Sequence, residues 1–433
     1  MSTPSNTRSG RYVALLLLIG ASLWALTPSA CRQATDSGGG GGFIPGDTAD
    51  PTQLPAATGQ HPAAGNYGRT LNAGQTYVDP NSGVTVLKLT SATVPEANGG
   101  MYHGYSEGGP NISLPWVGTD SQTYYTAKVS NWLVDIRIST MTPVNWRQIT
   151  YDGEIGIAFS LNPATPRILY KISDGGTKRV DRYNTATNAV ENTGNWPWIA
   201  GATGSNMDWL QNNLNDEWFV GMLNSNHTVV GFRPSDGLQR TITQAGAAVT
   251  IDEPHIDREF PYVYLSTDSP VQNKITNLVT GAYTVPNDTA GINGDDHAAP
   301  LRGKVVALVY FIPGVVAVDY NGNVWPAVTV SPSDWSGDWH MAGQWVFNNP
   351  EEYFVIDQWA DVGDYPIYRG MMGFVSMSGD IRLIGATDAT GISYTDGGQP
   401  HPTLSPDGKL VMWVTNMNGS ARYDTFVARI PAK

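Results

Sequence analysis

From Thr76 to the C-terminus the chain repeats one pattern. A short apolar or β-branched run is followed by a turn, then a second such run, then a tight turn carrying glycine. QTYYTAKVSNWLVDIRIS, EWFVGMLNSNHTVVGFRPSDG, KVVALVYFIPGVVAVDYNGNV and KLVMWVTNMNGSARYDTFVARI all follow it. Asn81-Ser82-Gly83, Asn321-Gly322 and Ser378-Gly379 supply turns that favour a left-handed backbone. Apolar residues at i, i+3, i+4 and i+7 do not recur over any long stretch beyond the N-terminal region, so the pattern predicts strands throughout.

The units recur at roughly 40–50 residues, the spacing of four-stranded propeller blades. Histidines mark several entries: His103 in MYHGYSEGG, His255 in DEPHIDREF, His297 in DDHAAP, His340 in GDWHMAG and His401 in QPHPTLSPDG. Two entries without histidine fall near Asp152-Gly153-Glu154 and Asn206-Met207-Asp208. The pattern predicts an all-β fold, a seven-bladed β-propeller of four-stranded antiparallel blades over residues 70–433. The run TYVDPNSGVTVLKLT would supply the missing outer strand of the last blade, because an unclosed ring exposes a strand edge. A β-sandwich followed by a second β domain is the structural alternative.

The first 30 residues read differently. Arg8 and Arg11 precede YVALLLLIGASLWAL, an apolar run too short to span a bilayer comfortably, as in a secretory signal. TPSAC follows, ending in Cys31, the only cysteine of the chain, so intrachain disulfides are excluded. This segment resembles the lipobox of bacterial lipoproteins. The resemblance implies lipidation of Cys31 and an exported protein, periplasmic or at the cell surface, anchored to a membrane. Ordinary signal cleavage leaving a free thiol is the alternative. Residues 31–69, rich in Gly, Pro, Ala and Thr, read as a flexible linker.

Composition fits the strand reading, with 48 Gly, 29 Pro, 14 Trp and 20 Tyr among 433 residues and only 15% charged residues. The net charge of −13 repels phosphate backbones and makes nucleic acid an unsuitable partner. No GxSxG, HExxH, CxxC or P-loop pattern occurs, so serine-hydrolase, zincin and nucleotide-binding readings lack support.

SPDGKLVMWVTN followed by YDTFVARI resembles the repeat of TolB-type propellers. With Gln399-Pro400-His401-Pro402 ahead of it, it also resembles the last blade of oligogalacturonate lyases. MYHGYSEGG is similar to the Tyr-His-x-Tyr entry of propeller ulvan lyases. The resemblance implies a divalent metal, Zn or Mn, held by histidines and a glutamine at one channel mouth, here His297, His340, His401 and Gln399.

Eliminative cleavage of a uronate glycan needs its carboxylate neutralised, a base for the C5 proton and an acid for the leaving O4. Arg258, three residues after His255, suits the carboxylate. His103, Tyr105 and His255 suit proton transfer. Tyr102, Trp116, Trp339 and Trp345 suit substrate binding, the tryptophans by stacking on sugar faces. Each histidine could equally bond between blades, and each tryptophan could be packing. The enzymatic reading is a polysaccharide lyase. The alternative is a non-catalytic TolB-like propeller, a cell-envelope scaffold or a module that binds glycan or protein.

If Cys31 is lipidated, Cys31→Ser moves the protein from the membrane to the soluble fraction, because several acyl chains anchor far more firmly than none. Unchanged fractionation, with no acyl mass on the mature N-terminus, would reject the anchor.

Overall fold

The computed structural model describes residues 48–57, 67–96, 108–149, 156–172, 180–192, 207–223, 228–243, 250–267, 273–286, 297–309, 314–328, 340–349, 352–357, 370–387, 400–416 and 422–432. Cys31, Tyr102, His103, Tyr105, Trp339 and Gln399 lie outside them.

Among the described residues the strands form seven antiparallel sheets, six of four strands and one of five. Six sheets are built from consecutive strands, whose innermost members are Trp116–Val117, Ile157–Phe159, Met207–Asn212, Ile251–Ile256, Ala298–Pro300 and Met341–Ala342 for blades 1 to 6. Blade 7 starts with Thr403–Leu404, Leu410–Thr415 and Asp424–Arg429. It then takes its fourth and fifth strands, Thr85–Lys88 and Thr76–Val78, from the beginning of the ring. Thr85 pairs with Arg429 and Lys88 with Phe426, which is the closure read from the sequence. Gly83, Gly322 and Gly379 take the positive φ their turns require.

The strands are apolar because most are covered on both faces. In blade 1 the second strand, Thr123–Val129, is buried from Tyr124 onward, whereas the outermost, Thr142–Gln148, has no fully buried position. A strand covered on both sides reads as a continuous apolar run rather than an alternation. Seven apolar clusters fill the seams between successive blades. The closing seam joins Leu87, Met412 and Val427 of blade 7 to Tyr125, Val134 and Ile136 of blade 1.

Buried polar bonds add direction to these seams. The Tyr125 hydroxyl of blade 1 donates to Asp407 in the first turn of blade 7. Asp79, in the borrowed hairpin, accepts from the Ala386 N–H of blade 6 at 3.0 Å. The Thr90 hydroxyl donates to Asp424 at 3.0 Å, and Lys88 pairs with Asp424 at 3.2 Å.

The segment read as a linker over residues 31–69 needs correction. Within it, Pro51–Gln53 form a short 3₁₀ helix. Thr48, Ala49, Pro51 and Leu54 are buried. Ala49 donates to the Asp407 carbonyl, and Ala57 and Leu383 exchange backbone bonds with Ile381 and Pro55. Low periodicity concealed this because the stretch docks by isolated apolar side chains and backbone bonds, not by a repeating face.

Deleting residues 1–47 should leave a cooperatively melting protein. Deleting residues 1–90 removes the borrowed strands, bares the edge of Asp424–Arg429 and should give insoluble protein. Equal melting of both truncations would refute the closure argument.

Candidate functional site at the channel mouth

His297 and His340 each stand immediately before the innermost strand of their blade, and His401 stands two residues before its own. The ring arrangement turns this sequence position into proximity. The His297 and His340 ring centroids are 4.6 Å apart and those of His340 and His401 are 4.0 Å apart. All three are buried or nearly so, His297 retaining the most exposure at 8%. His401 adopts a left-handed backbone, φ +43°, although the following Pro402 disfavours compact conformations. Strain of this kind at a non-glycine residue persists only where its surroundings enforce it. The Pro400 carbonyl, accepting from the Val414 N–H, is one such restraint.

Two carboxylates flank the imidazoles. Glu253 Oε1 is 3.8 Å from His297 Nδ1, and its Oε2 is 2.9 Å from His255 Nε2. Asp357 Oδ2 lies 3.7 Å from His340 Nδ1, while its Oδ1 accepts the His340 backbone N–H at 2.9 Å. The result is a continuous buried line from His255 through Glu253, His297 and His340 to His401. Burial makes each carboxylate costly unless it is partnered, which ties Glu253 and Asp357 to the imidazoles.

Glutamines fix the inner strands that carry this line. Gln211 of blade 3 donates to the Pro254 carbonyl at 2.7 Å and accepts from the Ile256 N–H at 3.1 Å. Gln344 of blade 6 accepts from the Leu404 N–H of blade 7 at 3.3 Å.

The register corrects one sequence alignment. Asp257, Leu301 and Ser405 each donate their N–H to the first residue of the next strand or its start, Tyr262, Lys304 and Leu410. Counting four residues back from each gives Glu253, His297 and His401. Glu253, not His255, therefore occupies the histidine position in blade 4. A register shift between Ile251 and Pro254 accompanies the change. His255 is fully buried between Trp209 and Tyr264 and has no surface for a polymer. It partners Glu253 rather than acting on substrate. Asp357 was missed altogether. Its only signal was an acidic residue at the end of the apolar run YFVID.

The other expected contacts separate from this cluster. Trp345 packs against Tyr353 and Phe374 in the seam of blades 6 and 7, and its Nε1 donates to the Phe347 carbonyl. Trp116 stacks on Tyr124 at 4.9 Å with the Arg167 guanidinium 3.9 Å over its ring. Tyr124 and Arg167 occupy the faces of Trp116, and Tyr353 and Phe374 pack on Trp345, so the ring faces are taken by protein partners.

Arg258 belongs to the opposite end of the inner strands. It follows Ile251–Ile256, whereas the histidines precede their strands, so Arg258 lies beyond the far end of its inner strand. Its Nε reaches the Gly343 carbonyl beyond the inner strand of blade 6, at 3.4 Å. That contact skips blade 5 and ties blade 4 to blade 6. Full burial lowers its pKa to about 10, opposed by Asp257. Asp257 itself is pushed up to about 7 by burial, against three backbone N–H donors from Phe260, Glu259 and Gly303 and the Arg258 charge.

The donor chemistry of three imidazoles suits a transition metal. Their spacing does not: two imidazoles sharing one tetrahedral ion at about 2.0–2.1 Å place their centroids roughly 5 Å apart, wider than either ring pair here. Among the described residues no three His, Cys, Asp or Glu side chains stand in metal-holding geometry.

No protein-family model matches the chain, and no curated protein matches it. Solved structures do. An oligogalacturonate lyase from Vibrio parahaemolyticus aligns over 82% of this chain and 96% of its own, with a TM-score of 0.55 and 14% identity. A streptogramin B lyase aligns over 79% of this chain and 100% of its own, with a TM-score of 0.43 and 9% identity. A virginiamycin B lyase from Staphylococcus aureus aligns over 75% and 96%, with a TM-score of 0.44 and 8% identity. At these identities the first likeness is one of fold alone. It agrees with the seven-bladed architecture.

The raised pKa of Asp257 gives a pH dependence of known sign. The folded protein holds this proton more tightly than the unfolded chain, so the associated stability is complete below about pH 4 and is lost as pH rises through about 7. Asp257→Asn should flatten this part of the stability profile between pH 4 and 8, measured by urea unfolding. An unchanged slope would show that Asp257 is ionised across that range.

Proposed function

We infer that the protein is a polysaccharide lyase acting on uronate-containing glycans. The observation that carries this reading is the unbroken line of buried imidazoles at the channel mouth, flanked by Glu253 and Asp357. Imidazole exchanges protons near neutral pH more readily than any other ordinary side chain, and a row of them serves both halves of an elimination. The fold shared with an oligogalacturonate lyase adds support of a general kind.

In this reading a uronate carboxylate enters beside His297 and His401, the two imidazoles on either side of His340. A protonated imidazole supplies the neutralising charge. A neutral one removes the C5 proton, the C4–O4 bond breaks as the C4–C5 double bond forms, and the departing O4 takes a proton from a second imidazole. Glu253, beside His297, holds positive charge there after the proton is taken. His340 lies between the two, and the Asp357 carboxylate 3.7 Å from its Nδ1 would balance positive charge on it.

Purified protein should generate an unsaturated, ultraviolet-absorbing product from oligogalacturonides or another uronate polysaccharide. His297→Ala and His401→Ala should each reduce turnover by about 100-fold or more, while Tyr283→Ala on the exposed outer edge of blade 4 leaves it intact. Elemental analysis of the same samples reads out any bound divalent ion. Absence of product on a panel of uronate polymers would reject the lyase in favour of the non-catalytic scaffold.

A further inference from the structure

Arg258 presents an imbalance that the histidine site does not explain. Its side chain is among the largest fully buried ones in the protein. Its Nε donates to the Gly343 carbonyl, but Nη1 and Nη2 have no hydrogen-bond partner among the described residues. No carboxylate among them lies within ion-pair distance of it. Asp257, its neighbour in sequence, is occupied by the Glu259, Phe260 and Gly303 N–H groups instead.

Leu214 donates its N–H to the Arg258 carbonyl at 2.7 Å, and the preceding Asn213 is buried with its Nδ2 unpartnered. The orientation of that amide is set by its Oδ1, which accepts the Trp218 N–H at 2.8 Å. The backbone here is tightly drawn together: a Cβ on Gly343 would lie 2.4 Å from the Pro300 carbonyl. A buried guanidinium with four unanswered N–H bonds carries a large desolvation penalty that only a nearby negative charge relieves.

We propose that Arg258 holds a small monovalent anion, a chloride or a single carboxylate, at the end of the channel opposite the histidines. The enclosure favours an ion over a polymer, and the planar fork of the guanidinium presents paired donors to it. The site is independent of the lyase reading, since it is measured without substrate.

The test is thermal unfolding of the full chain at constant ionic strength, with methanesulfonate replaced stepwise by chloride or by formate. The melting midpoint should rise with the free anion concentration, by an equal increment for each tenfold rise once that concentration exceeds the dissociation constant. Arg258→Met, which keeps the apolar stem and removes the charge, should abolish that rise. A response to both anions identifies a general monoanion site, and a response to formate alone identifies a carboxylate site. Crystals of the wild-type chain soaked in bromide should show an anomalous peak within hydrogen-bond reach of Nη1 and Nη2, a measurement that stands even if Arg258→Met fails to fold. Equal anion dependence in wild type and Arg258→Met, or no bromide peak, would overturn the proposal.

Discussion

A ring of β-sheets holds together only if its two ends share one sheet. Here Thr85–Lys88 pairs with Asp424–Arg429, so main-chain hydrogen bonds link residues more than three hundred positions apart. Without that pairing, blade 7 would expose an edge, and Tyr125, Val134 and Ile136 of blade 1 would lose their partners Leu87, Met412 and Val427. The remaining seams are mainly apolar clusters, which are non-directional by themselves and take direction from a few polar bonds such as those of Asp79 and Gln344. Closure fixes how many blades share the circle, and therefore how closely their inner strands approach.

The histidine line is a consequence of that approach. Three side chains about forty to sixty residues apart in sequence come within ring contact because each sits at the entry to an inner strand. The glutamine bonds from Gln211 and Gln344 set the height of neighbouring strands against each other. Glu253 and Asp357 then compensate charge in a place where water is scarce. Packing alone would tolerate apolar residues at all five positions with less cost. A strained His401 backbone at the same place points the same way.

The far end of the channel follows the same rule with the opposite sign. Arg258 brings an excess of donors into the interior, where the histidine end brings a mixture of donors and acceptors. A single scaffold thus separates two electrostatic environments by the length of one inner strand. The acidic net charge of the whole chain says nothing about either, because both are screened from solvent by the blades.

The sequence by itself determined the all-β class, the seven units, the borrowed closing strand and the meeting of His297, His340 and His401. These are properties of local alternation and spacing, which a chain carries in one dimension. The tertiary structure alone decided the rest. Strand register places Glu253, two residues ahead of His255, where the spacing suggested His255, and Asp357 joins the line from a second strand whose sequence looks merely apolar. Trp116 is covered because the neighbouring blade supplies Arg167, and Trp345 because Tyr353 and Phe374, later residues of its own blade, pack on it, contacts invisible to the local pattern. Arg258 lies three residues from His255 along the chain yet belongs to the other end of the channel, since an extended strand carries its residues apart at about 3.3 Å each.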